Sequence, residues 1–304
     1  MIPHHGNANK QFSMKHHDNR AWLLLLPACA VMMFVGLVPL LTVLNFSFHD
    51  IFTLESLHWV GAEWYEAIIT SSRFHASLGR SLMFSALVLG VQLPLGIAVA
   101  LLLVRTGRVG LALLLLVAVP LVVPWNMIPI MWLSLINPDT GFAGRAMAAM
   151  GIAFDYKFTA LHTWIVLVVM DTWHWLGLVV ILAYAGLSGI PPAYYQAAAI
   201  DGASRWALFR HIELPRISSA LFIVILLRFV DSFMIYTEAF AINAGGPNGA
   251  TTFLSLDLGE ELKGFSYGSA AARAMVYFLI VLAVVRIFVA VTDHRKRQTP
   301  EASA

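Results

Sequence analysis

Long uninterrupted apolar runs dominate this chain. No Asp, Glu, Lys or Arg occurs in 21–48, 81–104 or 109–138. A membrane-spanning helix needs roughly 20 apolar residues, because each residue rises about 1.5 Å through a hydrocarbon core about 30 Å thick. Each of these runs passes that test. Three further spans fit Leu161 to Leu187, interrupted by Asp171; Ser218 to about Ile242, carrying Arg228, Asp231 and Glu238; and Ala270 to Thr292, carrying Arg273 and Arg286. Pro120, Pro124 and Pro129 in the third run predict kinks packed against neighbouring helices. The pattern therefore predicts an all-α, polytopic membrane protein with six transmembrane helices. Its expected organisation is a tail over 1–20, a first transmembrane helix with an outer loop over 21–76, a core domain with five transmembrane helices over 77–292, and a second tail over 293–304.

Composition agrees. Of 304 residues, 59% are hydrophobic and 12% charged, with mean hydropathy +0.77, whereas about a quarter of a soluble domain's residues are charged. The excess apolar surface must face lipid. A net charge of +2 excludes a strongly basic nucleic-acid binder, and one cysteine, Cys29, excludes disulfide frameworks and multi-cysteine metal sites. Leu26-Pro27-Ala28-Cys29 has the form of a lipoprotein cleavage box, but the apolar run continues to Phe48, past the 7–15 residues of a signal h-region. It reads as a span. His4-His5 and His16-His17 lie in a polar segment expected to be a disordered tail, and no metal site is expected.

The basic residues fix an orientation. With six spans, Lys10, Lys15, Arg20, Arg105, Arg108, Arg205, Arg210, Arg216, Arg295, Lys296 and Arg297 fall on one side; Arg73, Arg80, Arg145, Lys157 and Lys263 fall on the other. The richer side is read as cytoplasmic, which puts both termini inside and the segments 49–80, 137–160 and 243–269 outside. Arg286 can snorkel to the interface and Arg273 lies near the outer end. Arg228 is roughly 17 Å in from Arg216 at helical rise, so it needs a partner or water.

Between the fourth and fifth spans, 188–215 reads as two short helices around a break. Pro191-Pro192 favour a helix start, Gly202 permits a turn, Ser204 can cap a second helix to about His211, and Pro215 is expected to end it. Ala197, Ala198 and Ala199 make a small face, while Trp206, Phe209 and Ile212 make an apolar stripe. An amphipathic helix pair at the membrane face suits docking better than catalysis. Within it, Gln196-Ala197-Ala198, then Gly202, Ile212, Leu214 and Pro215 stand at the spacings of the cytoplasmic E-A-A-x-x-x-G loop, so the chain resembles the permeases of bacterial ABC importers. Asp201-Gly202-Ala203 is as in the carbohydrate branch. Gln196 replaces the usual Glu, which removes a charge while keeping hydrogen-bonding capacity. A second stretch, Gly245-Gly246-Pro247-Asn248-Gly249-Ala250-Thr251-Thr252 with Phe265 to Ala272, is similar to the segment joining the last two spans in the maltose-type first permease of the pair. The glycines are no phosphate loop, since no Lys-Ser/Thr follows; their plain reading is a tight turn. Tyr194-Tyr195-Gln196 and Asp231 to Glu238 resemble the branch that includes glycerol importers.

The resemblance implies a type I importer permease fold and one subunit of an assembly in the bacterial cytoplasmic membrane. Its expected partners are a second homologous permease, a cytoplasmic ATPase dimer and an outer solute-binding protein, with surrounding lipid. The chain carries no Walker P-loop, so it is expected to be no enzyme and to hold no cofactor of its own, with ATP and Mg bound by the partner ATPase. Coupling to that ATPase is expected through Tyr195, Gln196, Ala197, Ala198, Asp201, Gly202, Ala203, Phe209, Ile212, Leu214 and Pro215. A sugar or polyol, glycerol by preference, is the expected solute. Its path is expected along Asp171, Trp173, His174 and Trp175 of the fourth span and Arg228, Asp231, Phe233, Tyr236 and Glu238 of the fifth, because polar groups inside a membrane are functional by default. The plain alternative is mutual neutralisation: Arg228 with Asp231 and Asp171 with His174 are each spaced i, i+3. A proton-coupled secondary transporter using Asp171, His174, Asp231 and Glu238 as a relay is the competing function. It leaves the long amphipathic loop unexplained.

Overall fold

The computed structural model describes residues 21–53 and 56–298. The amino-terminal tail with its histidine pairs and residues 299–304 lie outside the described residues. In chain order the elements are α1 (Ala21–Phe46), the hairpin β1 (His49–Thr53) and β2 (Ser56–Trp59), α2 (Glu63–Thr70), α3 (Ser72–Val104), α4 (Arg108–Ala118), α5 (Met127–Ile136), α6 (Phe142–Ala149), α7 (Ala160–Ser188), α8 (Pro192–Ile200), α9 (Arg205–Leu208), α10 (Leu214–Phe233), α11 (Thr237–Asn243), α12 (Leu254–Lys263) and α13 (Tyr267–Gln298). Five helical stretches are long and apolar enough to cross a membrane, or six when one bent pair counts as a span. The small antiparallel hairpin, which pairs His49 with Trp59, is the one departure from all-α structure among the described residues.

The third span is not the kinked helix expected. It is broken into α4 with a short 3-10 turn (Val119–Val122) and α5, bent by 102°. Val123 precedes Pro124 and is forced extended, at φ −66° and ψ 126°, which ends the helical ladder. Trp125 sits at this corner. The fifth span is also broken, between α10 and α11. Its released backbone is satisfied from a neighbour: the Ser255 hydroxyl at the start of α12 donates to the Ile235 carbonyl. Irregular backbone at membrane depth survives where protein supplies such partners.

Helix α7 is the centre of the bundle, packed on α3, α10 and α4. Glycines set the close approaches. A Cβ on Gly96 of α3 would stand 2.5 Å from Cγ1 of Val179, and one on Gly177 would stand 2.7 Å from the Val117 carbonyl oxygen. Below these crossings Ala100, Val180, Ala183, Leu187 and Ile217 close one core; above them Phe84, Val88, Ile128, Met170, Ile235 and Phe253 close another. Helix α1 lies at the edge against α13 and exposes Met32, Phe34 and Val35. Helix α3 begins at Ser72, whose preceding Ser71 caps it through the Phe74 N–H, so the 76/77 division falls about a turn inside this helix.

At the 189–213 end, the loop folds as two short helices. Pro192 opens α8 after an extended Pro191, and α8 closes in a Schellman turn: the Ala203 N–H donates to the Ala198 carbonyl at 2.9 Å and Gly202 N–H to Ala199, with Gly202 at φ +64°. Ser204 then caps α9 by accepting from the Ala207 N–H at 3.2 Å. Pro215 does not end this second helix. A π turn over Phe209–Glu213 shifts the hydrogen bonds, with the Leu214 N–H donating to Phe209, and carries α9 into α10 without a stop. The widened turn takes the proline ring, which lacks an N–H to lose.

Candidate functional site

Near the middle of the bundle, three helices meet in a polar knot. Arg228 of α10 is buried; its Nε donates to Gln92 Oε1 of α3 at 3.0 Å, its Nη2 to Asp171 Oδ2 of α7 at 2.5 Å, and its Nη1 to Asp231. Gln92 Nε2 donates to the same Asp171 oxygen at 2.7 Å, which closes a ring across α3, α7 and α10. The guanidinium also lies 4.6 Å over the Trp175 ring. So Arg228 has the partners that its depth requires, Asp231 among them. Asp171, by contrast, pairs with Arg228 and Gln92 and not with His174.

Next to the knot, the corner residue Trp125 donates its Nε1–H to Glu238 Oε1 at 2.6 Å, joining the break of the third span to that of the fifth. Its ring meets His174 at 6.3 Å and Trp175 at 5.8 Å, centroid to centroid. Glu238 Oε2 and His174 Nδ1 are buried with no hydrogen-bond partner. The other named path residues separate. Tyr236 stacks on Phe240. Phe233 is fully buried in the core with Phe74, Leu254 and Tyr277. Trp173, two positions from Trp175 and so on the other side of α7, meets Trp132 at 5.8 Å and lines a wholly apolar groove of about 750 Å³ with Met83, Leu87 and Trp164.

Gln92 and Trp125 were missed by pattern reading. The signal for Gln92 was a lone amide within the 24 charge-free residues of 81–104; a buried amide in lipid needs partners on both faces. Trp125 shows no such signal, since only the chain break directs its ring.

At the α8–α9 end, Gln196, Ala197, Ala199, Asp201, Gly202 and Ala203 are exposed, whereas Ala198 is buried, Tyr195, Ile212 and Leu214 are partly buried against the ends of α3 and α7, and Phe209 is partly buried beside Trp206. Pro215 is exposed. Burial, with the Glu213 carboxylate nearby, pushes the Tyr195 phenol above its ordinary range, so it stays protonated. Arg205 at the start of α9 reaches across the π turn to Glu213 with two bonds, Nη1 to Oε1 at 3.0 Å and Nη2 to Oε2 at 3.1 Å. Trp206 projects, 66% exposed. At the opposite end, Asp257 is buried beside Arg73 and Arg273, which also pair with Glu260 and Glu261, and Arg80 Nε donates to the Thr252 carbonyl at 2.8 Å. These bonds tie α12 to α3 and α13. The Gly245 to Gly249 stretch is a turn held by the Thr251 N–H donating to the Gly245 carbonyl at 2.7 Å.

Comparison with known proteins extends the geometry. The chain is 26% identical over 291 residues to the trehalose/maltose transport system permease protein MalF of Thermococcus litoralis, covering 95% of this chain and 99% of that one. It is 28% identical over 273 residues to the sn-glycerol-3-phosphate transport system permease protein UgpA of Yersinia pseudotuberculosis, covering 88% and 92%. In fold it is similar to a chain in the crystal structure of a bacterial ABC transporter involved in the import of the acidic polysaccharide alginate, with TM-score 0.77 over 93% of this chain and 97% of that one, at 21% identity. A structure of a bacterial alginate ABC transporter in complex with alginate pentasaccharide-bound periplasmic protein matches with TM-score 0.75 over 88% of this chain and 93% of that one, at 21% identity. The family model described as binding-protein-dependent transport system inner membrane component matches residues 92–298, from the glutamine of the polar knot to the end of α13, and the chain belongs to that family.

Proposed function

We propose that this chain is one of two permease subunits of an ATP-driven importer that moves a sugar or polyol, glycerol by preference, across the cytoplasmic membrane. The observation that carries the reading is one helical rod. From Arg205 to Phe233 the chain runs helically through α9, the π turn and α10, with an exposed helix pair at one end and Arg228 and Asp231 inside the bundle at the other. A push on α9 therefore reaches the polar knot along one helix, and a push on α8 passes to α9 through the tight, capped turn at Gly202.

In this reading the α8–α9 pair docks on an ATPase subunit, with Gln196, Ala197, Asp201, Gly202 and Ala203 at the contact. Nucleotide-driven closure of the ATPase dimer turns the rod as a rigid body. The loop lies on the cytoplasmic side with both termini, following the basic residues, and a solute-binding protein delivers at the opposite end. Solute passes beside Trp175, Asp231, Trp125 and Glu238, where rings stack on C–H faces and carboxylates accept hydroxyl protons. No step of ATP chemistry is assigned to this chain.

Uptake measured in cells under ATP depletion and, separately, under collapse of the proton gradient tests the reading, together with purification of the chain in mild detergent. The expected result is uptake that fails with ATP and survives gradient collapse, with an ATPase subunit co-purifying. Uptake that follows the proton gradient and no co-purifying ATPase would instead support a secondary transporter with Asp171, His174, Asp231 and Glu238 as its relay.

A further inference from the structure

We infer that the solute path discriminates against anions, and that Gln92 is the positioning residue that makes it do so by helping to turn the one buried arginine of the knot away from solute. The inference rests on the proposed path and adds the charge class of what passes.

An arginine inside a transport path invites the opposite reading, because guanidinium is the preferred partner of phosphate and carboxylate. The geometry removes it from service. Each guanidinium nitrogen of Arg228 donates to a side chain of the protein: Nε to Gln92, Nη2 to Asp171 and Nη1 to Asp231. Trp175 covers a face, and the side chain is 1% exposed. Gln92 is the member that no charge rule requires. Its amide has a fixed sense, with oxygen toward the guanidinium and nitrogen toward the Asp171 carboxylate, so it holds both ions in one orientation.

What remains open to the path is acidic. Asp231, at 21%, is the most exposed ion of the knot. One arginine set against Asp171 and Asp231 leaves one formal negative charge in excess. Whichever carboxylate holds a proton, no cation of the knot faces outward. With both aspartates ionised, an anion about 6 Å from that excess charge, at an effective dielectric of about 20, is disfavoured on the order of a hundred-fold.

A second observation points to the class that fits. Glu238 Oε2 and His174 Nδ1 are buried beside Trp125 without partners. A hydroxyl both donates and accepts, so a neutral polyhydroxyl solute can satisfy both atoms. The phosphate end of a solute only accepts, and can offer no hydrogen to a Glu238 carboxylate. The adjoining rings of Trp125 and Trp175 suit the C–H faces of such a solute.

The test uses the assembled transporter in nanodiscs, without binding protein, so that only the path selects. Saturation-transfer NMR compares two matched pairs, glycerol with sn-glycerol 3-phosphate and trehalose with trehalose 6-phosphate. In the unaltered transporter at least one neutral member is expected to bind with at least tenfold preference over its phosphate. Asp231→Asn is expected to narrow that ratio severalfold. Gln92→Leu, which releases the Nε of Arg228, is expected to narrow it as well, while Gln92→Glu, which keeps the acceptor for that Nε and gives up only the donor to Asp171, is expected to keep it. A merely structural role for Gln92 would lower the yield of both variants alike and leave the ratio alone. If Gln92→Leu fails to assemble, Gln92→Asn, too short for both bonds, takes its place. Phosphates binding as well as their neutral partners would overturn the inference and leave the path standing. No signal from either member of either pair would overturn the path and the inference together. A ratio that responds to Asp231→Asn but to no Gln92 variant would remove the role of Gln92.

Discussion

Replacing Arg205 should damage the protein more than replacing its partner Glu213, and the second change should repair the first. Glu213 lies under the π turn with its side chain 4% exposed, whereas Arg205 is 44% exposed. The pair is therefore neither a surface ion pair, which contributes about 0.2–1 kcal/mol, nor a fully buried one, whose severing costs about 3–5 kcal/mol. Arg205→Gln leaves a buried carboxylate with no counter-charge, and a cost of about 2 kcal/mol is expected. Glu213→Gln leaves only a half-exposed arginine that water can reach, at about 1 kcal/mol or less. The double variant removes the uncompensated charge and should return to about the cost of Glu213→Gln alone, a coupling near 2 kcal/mol or about thirtyfold. Thermal denaturation midpoints of the assembled transporter and solute moved per ATP hydrolysed, in proteoliposomes, should follow the same order. Equal effects of the two single changes that add in the double would refute the reasoning, as would full coupling in Arg205→Gln at an unchanged midpoint.

Other expectations follow from the same geometry. Arg228→Leu strands the buried Asp171, so assembly should fall by the equivalent of about 3–5 kcal/mol, and adding Asp171→Asn should restore part of the yield; an Arg228→Leu chain that assembles normally contradicts the knot. Gly96→Ala puts a methyl 2.5 Å from Val179 Cγ1 and should cost about 1–3 kcal/mol, read as a lower midpoint in detergent, with Val179→Ala in the same chain recovering it. Within the chain Gly202 has open space around it, so the folding cost of Gly202→Val comes from its φ of +64°, at about 1–2 kcal/mol, and its side chain would also stand at the proposed ATPase contact. Less solute moved per ATP is expected there, while Gly202→Asn should keep the denaturation midpoint close to the parent because asparagine tolerates the left-handed conformation.

By itself the sequence determined where the chain meets the membrane, since span length depends only on the thickness of hydrocarbon and the rise of a helix. It also determined the local turns, because Pro192, Gly202 and Ser204 act within a few residues of themselves, and the α8–Gly202–α9 arrangement follows them. Two local readings failed for one reason. Pro215 was expected to stop a helix and the prolines at 120 and 124 to kink one, but whether a chain stops, bends or runs on depends on who satisfies the freed carbonyls. A π turn runs the helix on at 209–213, and the corner at Val123 breaks it outright. Only tertiary structure decided the knot. Gln92, Asp171 and Arg228 lie 57 to 136 residues apart, and their depth in three packed helices brings them within hydrogen-bonding distance. The spacing that seemed to pair Asp171 with His174 lost to a partner on another helix, because a buried charge takes the strongest counter-charge within reach, and sequence distance has no part in that choice.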